Sequence, residues 1–161
     1  MTIEARGPVP ALTLKAAGSG REVTLGRSAV PLVLILPTQD TADAVEGIRT
    51  AIRQRFPDPS RVLVCSVVNV SNVPRLMRKM AEGALNNRFK EASGRLAEGL
   101  DPRDFIVILQ DWKGAVAEWL GAKEAKQLTV AVLGAGGELV GAFQSDDPAA
   151  GAIQLLDQAG A

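Results

Sequence analysis

Few residues in this chain have side chains suited to catalysis. Cys65 is the only cysteine, and the 161 residues include no histidine. An internal disulfide, a histidine-based catalytic triad and a histidine-containing zinc site are therefore excluded. Cys65 lies within the apolar run 62–68, which predicts a buried strand, and apolar burial raises the pKa of a thiol. A structural role for Cys65 is favoured, and a one-thiol redox role is the alternative.

Carboxylates stand close together at two places, as Asp40 with Asp43 and as Asp146 with Asp147. Both pairs fall where the pattern predicts helix starts, and acids at a helix N-terminus stabilise the helix dipole without any catalysis. A metal site or a hydrolytic carboxylate pair is the alternative. We assign no catalytic, cofactor-binding or metal-ligating residue from these patterns, and we expect no cofactor.

A glycine-rich segment, GAGG at 134–137, follows an apolar run and partly imitates a dinucleotide-binding motif. The third glycine of that motif would fall on Leu139, and the residues that follow favour a strand rather than a helix. The segment therefore predicts a hairpin turn.

Asp111 and Trp112 are candidates for binding rather than catalysis. They come directly after a buried strand, so we expect them in a loop at an edge of the sheet, where ligands often bind. Trp112 is also an unusual use of a large aromatic side chain in a loop. Packing of Trp112 over the sheet is the favoured interpretation, and a ligand or partner contact is the alternative.

A second candidate surface lies on a long helical segment. Met77, Met80, Leu85 and Phe89 recur at helical spacing and form one stripe. A stripe of this kind is more often part of the core, although adaptable methionines also occur at binding surfaces. The length of this segment makes it the best candidate for a partner or dimer contact.

Charge and length limit the classes of partner. Lys and Arg together number 18, and Asp and Glu together also number 18. No overall field would attract nucleic acid or an anionic membrane, so neither is expected as a partner. The N-terminus carries no apolar signal core, and no apolar run approaches the roughly 18 residues of a transmembrane helix. We therefore expect one domain, residues 1–161, in the cytoplasm.

The hydrophobic pattern predicts alternating strands and helices. Strands are expected in a hairpin around Gly18–Gly20, at 30–36, 62–68 and 105–109, and in a late hairpin of 128–133 and 139–143. A first helix should be capped by Thr38, Asp40 or Thr41, and a second should bend or split at Gly83 and Gly94. Short helices should follow near Trp119 and after the capping sequence 145–148. This order predicts an α/β fold with a mixed sheet and helices on both faces.

Three segments together resemble the thioredoxin-like fold in its peroxiredoxin and TlpA-type forms, over residues 7–157. Residues 7–25 are similar to the entry hairpin of that family. FIVILQDWKGAVAEWLG at 105–121 is similar to its strand, Asp, turn and short helix, and LTVAVLGAGGELV at 128–140 to its late hairpin. The resemblance implies a three-layer α/β/α fold with a mixed central sheet, an N-terminal β-hairpin and a helical insertion.

The same resemblance implies a degenerate site. Peroxiredoxins carry Pro-x-x-x-Thr-x-x-Cys where the first buried strand meets its helix, because a helix N-terminus lowers the pKa of a thiol. Pro37 and Thr41 match this motif, whereas Ala44 stands where the cysteine belongs. With Gly137 aligned on the family's hairpin glycine, Leu128 stands where peroxiredoxins carry a catalytic Arg. The resemblance therefore implies that Leu128 lies beside Thr41 and that both Cys and Arg have been lost.

These observations favour a catalytically inactive redoxin-like protein that binds a protein partner or a second copy of itself. The candidate contact residues are Thr38, Asp40, Thr41, Asp111, Trp112, Met77 and Met80. The competing hypotheses are enzymes: a thiol oxidoreductase or peroxidase that uses Cys65, or a hydrolytic activity built on Asp40, Asp43 and Asp111.

Overall fold

The computed structural model describes residues 1–123 and 125–161 and contains a seven-stranded mixed sheet. The order of strands across the sheet is β2-β1-β5-β4-β3-β6-β7. The three central strands β3, β4 and β5 are parallel, and the remaining neighbours pair antiparallel. The strands are β1 (Thr13–Ala16), β2 (Glu22–Thr24), β3 (Leu32–Leu36), β4 (Leu63–Asn69), β5 (Val107–Asp111), β6 (Thr129–Leu133) and β7 (Leu139–Phe143).

Within the described residues, five α-helices connect or flank the strands. Short 3-10 turns at Ala42–Ala44 and Arg75–Met77 lead directly into the first two. The helices are α1 (Val45–Arg55), α2 (Arg78–Gly94), α3 (Pro102–Phe105), α4 (Ala115–Trp119) and α5 (Pro148–Gln158). No helix within the described ranges is both long and apolar enough to cross a membrane.

The central strands are buried on both faces, as their uninterrupted apolar runs predict. Side chains alternate along β3, so that Leu34 packs on one face with Trp119 of α4, whereas Ile35 packs on the other with Ile52 of α1. Helix α5 joins α1 on that second face, and α2 covers the same face further along, over Ile108 of β5. The result is the three-layer α/β/α arrangement with a mixed sheet and an N-terminal hairpin, which confirms the predicted fold class.

The start of the first helix differs from the prediction. None of Thr38, Asp40 and Thr41 caps α1, because a 3-10 turn separates them from its first residue. Ala44 is the N-cap residue, and it has no side-chain acceptor for the free N–H groups of the first turn. The predicted cap is therefore wrong, and the hydroxyls serve the preceding loop instead.

The second helix is also more regular than predicted. Gly83 lies inside α2 without breaking it, and Gly94 is its last residue. A glycine in a helix costs about 1 kcal/mol relative to alanine, which the burial of Leu85 and Ala92 offsets. The predicted split at Gly83 is wrong, because packing against the sheet outweighs local propensity.

The late hairpin forms as predicted. The turn before β7 contains Gly136 and Gly137, both with positive φ, and a Cβ at Gly137 would overlap the backbone of Gly26. Only glycine fits this position without strain or a clash. The glycine-rich segment is therefore a turn in which two backbones come close together.

Candidate functional site

The loop between β3 and α1 is held by its own threonines. Thr38 N donates to Thr41 Oγ1 at 2.8 Å, Thr41 N donates to Thr38 Oγ1 at 3.2 Å, and the two hydroxyl oxygens lie 3.0 Å apart. This reciprocal pair satisfies backbone groups that no helix or strand would otherwise use. Asp40 and Ala44 are exposed on the same loop. The segment is thus a closed turn with a methyl group, not a nucleophile, at the helix start.

Leu128 lies next to this loop. Leu36 and Thr129 are Cα partners in the antiparallel pair of β3 with β6, so the adjacent residues Pro37 and Leu128 stand at the same end of the two strands. Leu128 is buried and packs in the core cluster that contains α1. An apolar side chain fills the place where the family resemblance implies a cation.

A cavity of about 370 Å³ opens beside this corner. It brings together Thr38 from the loop, Asn69 from the end of β4 and Asp111 from the end of β5. This is the edge at which the carboxyl ends of the parallel strands meet, where α/β sheets often bind ligands. Asp40, Met77, Met80 and Trp112 do not line this cavity.

The side chain of Asp111 has a structural role. Asp111 is the last residue of β5 rather than part of a loop, and it is 1% exposed. Its Oδ1 accepts from Ala115 N at 3.1 Å, and its Oδ2 accepts from Val116 N at 2.9 Å. Gly114, with φ of 66°, turns the chain so that these amides face the carboxylate. The predicted loop position is wrong for Asp111, because the β5 strand continues through its pairing with Asn69, and it is confirmed for Trp112. The two oxygens of Asp111 cap the start of α4.

Cys65 lies in the middle of β4 and is fully buried. Its neighbours across the sheet are Leu34 and Val107. Burial raises the pKa of the Cys65 thiol to about 12, because an anion there would lose its hydration, and the fields of Arg21 and Arg53 only partly offset the rise. A thiol in this state is protonated at neutral pH and cannot reach a substrate.

Trp112 is half-buried beside α2, and its ring is covered by a cation. The Cζ atom of Arg78 lies 4.2 Å from the centre of the indole ring. Trp119 is instead part of the core, as predicted, and its Nε1 donates to Gly7 O at 3.1 Å. The two tryptophans therefore have different roles, one at a surface cleft and one inside the packing.

Three apolar side chains are exposed in the 3-10 turn Arg75–Met77 and the first turn of α2, and we call them the Met patch: Leu76, Met77 and Met80. Their exposed fractions are 99%, 47% and 70%. Met80 follows Leu76 by four residues and Met77 by three, spacings that place side chains on one side of a helix. Leu85 is buried and Phe89 half-buried on the same helix. The core interpretation of the stripe thus holds for its second half and is wrong for Met77 and Met80.

An ion pair fastens the C-terminal end of α2 to α1. Arg95 Nε donates to Glu46 Oε1 at 2.9 Å, and this hydrogen bond holds the pKa of Glu46 below its usual value. Both side chains are largely exposed, so solvent and salt screen the pair. Its contribution to the stability of the fold is therefore small.

Sequence patterns missed two residues with unmet hydrogen-bonding groups. The Nε and Nη2 atoms of Arg53 and the Oε1 atom of Gln110 are buried without a partner among the described residues. Arg53 Nη1 donates to Val62 O at 2.8 Å and so links α1 to the start of β4. Burial lowers the pKa of the Arg53 guanidinium. Gln110 was recognisable in principle, since it is a single amide inside the apolar strand that precedes Asp111.

Strand order, the position of the loop before α1 and the late antiparallel hairpin define a thioredoxin-like fold. The pneumococcal exposed lipoprotein thioredoxin Etrx1 of Streptococcus pneumoniae strain TIGR4 superposes with a TM-score of 0.62 at 17% identity, covering 91% of this chain and 98% of that one. A putative electron transfer protein of Aquifex aeolicus superposes with a TM-score of 0.67 at 11% identity, covering 97% and 94%. A putative thioredoxin of Neisseria meningitidis gives 0.59 at 15%, covering 94% and 88%.

At these identities the likeness concerns the fold alone. No protein-family model matches the chain, and no curated protein matches it in sequence. The resemblance to the thioredoxin-like fold is confirmed, and the function of the site has to be argued from its own residues.

Proposed function

We propose that this protein is a binding module on a thioredoxin-like fold that has no thiol redox activity and docks a protein partner through the Met patch. The observation that carries the proposal is the exposure of three large apolar side chains, Leu76, Met77 and Met80, within five consecutive residues. Large apolar side chains that stand together on a surface usually mark an interaction site. Methionine suits such a site because its flexible thioether adapts to different partner shapes.

The state of the thiol supports the first half of the proposal. A peroxidatic or disulfide-exchanging cysteine must be exposed and partly ionised at neutral pH. Cys65 has neither property, since it is buried in β4 with a pKa raised to about 12. Ala44 holds the exposed position at the helix start, and a methyl group offers no nucleophile.

The enzymatic alternatives have less support. Cys65 would need β4 to leave the sheet before it could attack a peroxide or a disulfide. A hydrolytic site would need a carboxylate with free oxygens, and both oxygens of Asp111 are engaged by the amides of α4. Asp40 and Asp43 are exposed, and neither lines the cavity that contains Asp111.

Replacing the Met patch by acids tests the docking half. Tagged wild-type protein is used to capture its partner from cells of its own source. The tagged Leu76→Glu/Met80→Glu variant should capture at least about tenfold less of that partner, because two apolar contacts are lost at the interface. The matched control is Leu100→Glu, which also places a charge on an exposed leucine but lies outside the patch. Captured proteins are quantified by mass spectrometry against both variants.

Self-association is measured on the same three proteins by light scattering. If the partner is a second copy, wild type and Leu100→Glu should be dimers and the patch variant a monomer. Equal capture and equal mass for all three proteins would refute docking through the Met patch.

A further inference from the structure

A cleft of about 810 Å³ lies between the open face of the N-terminal hairpin and α2. Strand β1 forms one wall, and its exposed residue Lys15 lines the cleft. Arg78, Glu82 and Asn86 form the other wall, at the four-residue spacing of a single helix face. Gln110 and Trp112 lie between the walls. The volume is in the range of clefts that hold small organic ligands.

The cleft has a flat aromatic platform. The guanidinium of Arg78 lies over the Trp112 ring, and the Arg78 side chain is about half exposed. A planar cation stacked on an indole still has its N–H edge available to an anion. The pair therefore offers a surface for a flat ring and, beside it, donors for a negative group.

Three cationic side chains (Lys15, Arg78 and Lys113) and two acidic ones (Glu82 and Asp111) line the cleft. Lys15 and Lys113 both line it, and neither forms an ion pair with the described residues. Glu82 is the acid nearest to Arg78, at 3.8 Å, and Glu22 stands across from Lys15 in the hairpin. Both oxygens of Asp111 accept hydrogen bonds from the amides of α4. The lining carries one cation more than acids, and its two lysines, which form no ion pair with the described residues, are the groups available to an anion.

Gln110 contributes a buried polar atom that has no hydrogen-bond partner among the described residues. Its Nε2 donates to Lys15 O at 3.3 Å, which fixes the orientation of the amide and leaves Oε1 as the atom without a partner. The oxygen is covered by its neighbours, and an acceptor that is buried without a donor is unfavourable. A donor that enters when neighbouring side chains move would remove this cost.

We propose that this cleft binds a small planar aromatic anion, a ring that bears a carboxylate or a phosphate. The ring stacks at the Trp112–Arg78 pair, and the negative group is held by Lys15, Lys113 and the free edge of Arg78. A ring N–H or hydroxyl donates to Gln110 once the site is occupied. The site is separate from the Met patch, since none of the three patch residues lines the cleft.

Binding is measured by ¹H–¹⁵N correlation spectra, because the chain has only two indole N–H groups. Trp119 lies in the core and serves as the internal reference, and Trp112→Phe assigns the cleft signal. The probes are naphthalene-2-carboxylate and adenosine 5′-monophosphate as planar anions. Adenosine is the ring without the charge, and inorganic phosphate is the charge without the ring.

We expect at least one planar anion to shift the Trp112 indole signal and the Gln110 side-chain amide signals at roughly millimolar or lower concentration, with Trp119 unchanged. Adenosine and inorganic phosphate should bind about fivefold or more weakly than adenosine 5′-monophosphate if the phosphate is the preferred anion. A response to naphthalene-2-carboxylate alone identifies a carboxylate ligand.

Matched variants assign the charges. Lys113→Gln and Arg78→Gln should each weaken binding by about three- to tenfold, whereas Leu76→Glu/Met80→Glu should leave it unchanged. No shift at Trp112 with either planar anion would overturn the proposal. Measurable binding of adenosine as tight as that of its monophosphate, or unchanged affinity in both cation variants, would overturn it as well.

Discussion

Asp111→Ala is expected to lower the free energy of unfolding by about 3 kcal/mol. Both carboxylate oxygens accept hydrogen bonds from backbone amides of α4, and the side chain is 1% exposed. Hydrogen bonds to a charged group contribute about 1.5–3 kcal/mol each, and the amides of Ala115 and Val116 would lose their acceptors. Urea denaturation followed by circular dichroism measures the change through the transition midpoint.

Asp40→Ala and Asp43→Ala are the matched controls for this substitution. Both remove an exposed carboxylate near the same edge of the sheet, and each should change stability by no more than about 0.5 kcal/mol. Asp111→Asn keeps the shape and one acceptor, so it should fall between the controls and the alanine variant. A stable Asp111→Ala protein would contradict the structural role assigned to this residue.

The stability of the wild-type protein relative to Cys65→Ala should fall by about 1.4 kcal/mol for each pH unit above 9. Burial raises the thiol pKa from an ordinary value of 9.0 to about 12, so above pH 9 the unfolded chain loses a proton that the folded chain keeps. The contribution of the buried, protonated thiol to stability is fully present below pH 9 and is lost as the pH rises toward 12. Denaturant unfolding at pH 8, 9 and about 10.5 measures it.

The amino-acid composition of the chain removes other titrating side chains from this comparison. It contains no tyrosine and no histidine, so no other side chain of those types titrates between the carboxylates and the lysines. Lysine titration is shared by both proteins and cancels in the difference. A constant difference between the two proteins across this pH range would mean that the thiol is not buried as described.

Much of the fold is encoded in short-range patterns. The apolar runs of β3 and β4 predict strands buried on both faces, and Ile48 and Ile52 predict the inner face of α1. These features depend on local sequence and on the period of one element. The interruption predicted at Gly83 was wrong because the propensity of one residue counts for less than the burial of its neighbours.

The candidate site was harder to predict, because its residues depend on tertiary contacts. Helical spacing alone cannot tell whether Met80 meets the sheet or the solvent, since both outcomes share one periodicity. Asp111 becomes a helix cap only through the turn at Gly114, whose φ is 66°. The cleft beside Trp112 forms from β1 and α2, which lie far apart in sequence.

The most direct test of the central claim is a measurement of thiol turnover. Purified wild type and Cys65→Ala are assayed side by side for dithiothreitol-dependent reduction of insulin disulfides and of hydrogen peroxide. If the fold is retained without redox chemistry, both proteins should reduce the two substrates at the uncatalysed background rate. Turnover by wild type that disappears in Cys65→Ala would contradict this account.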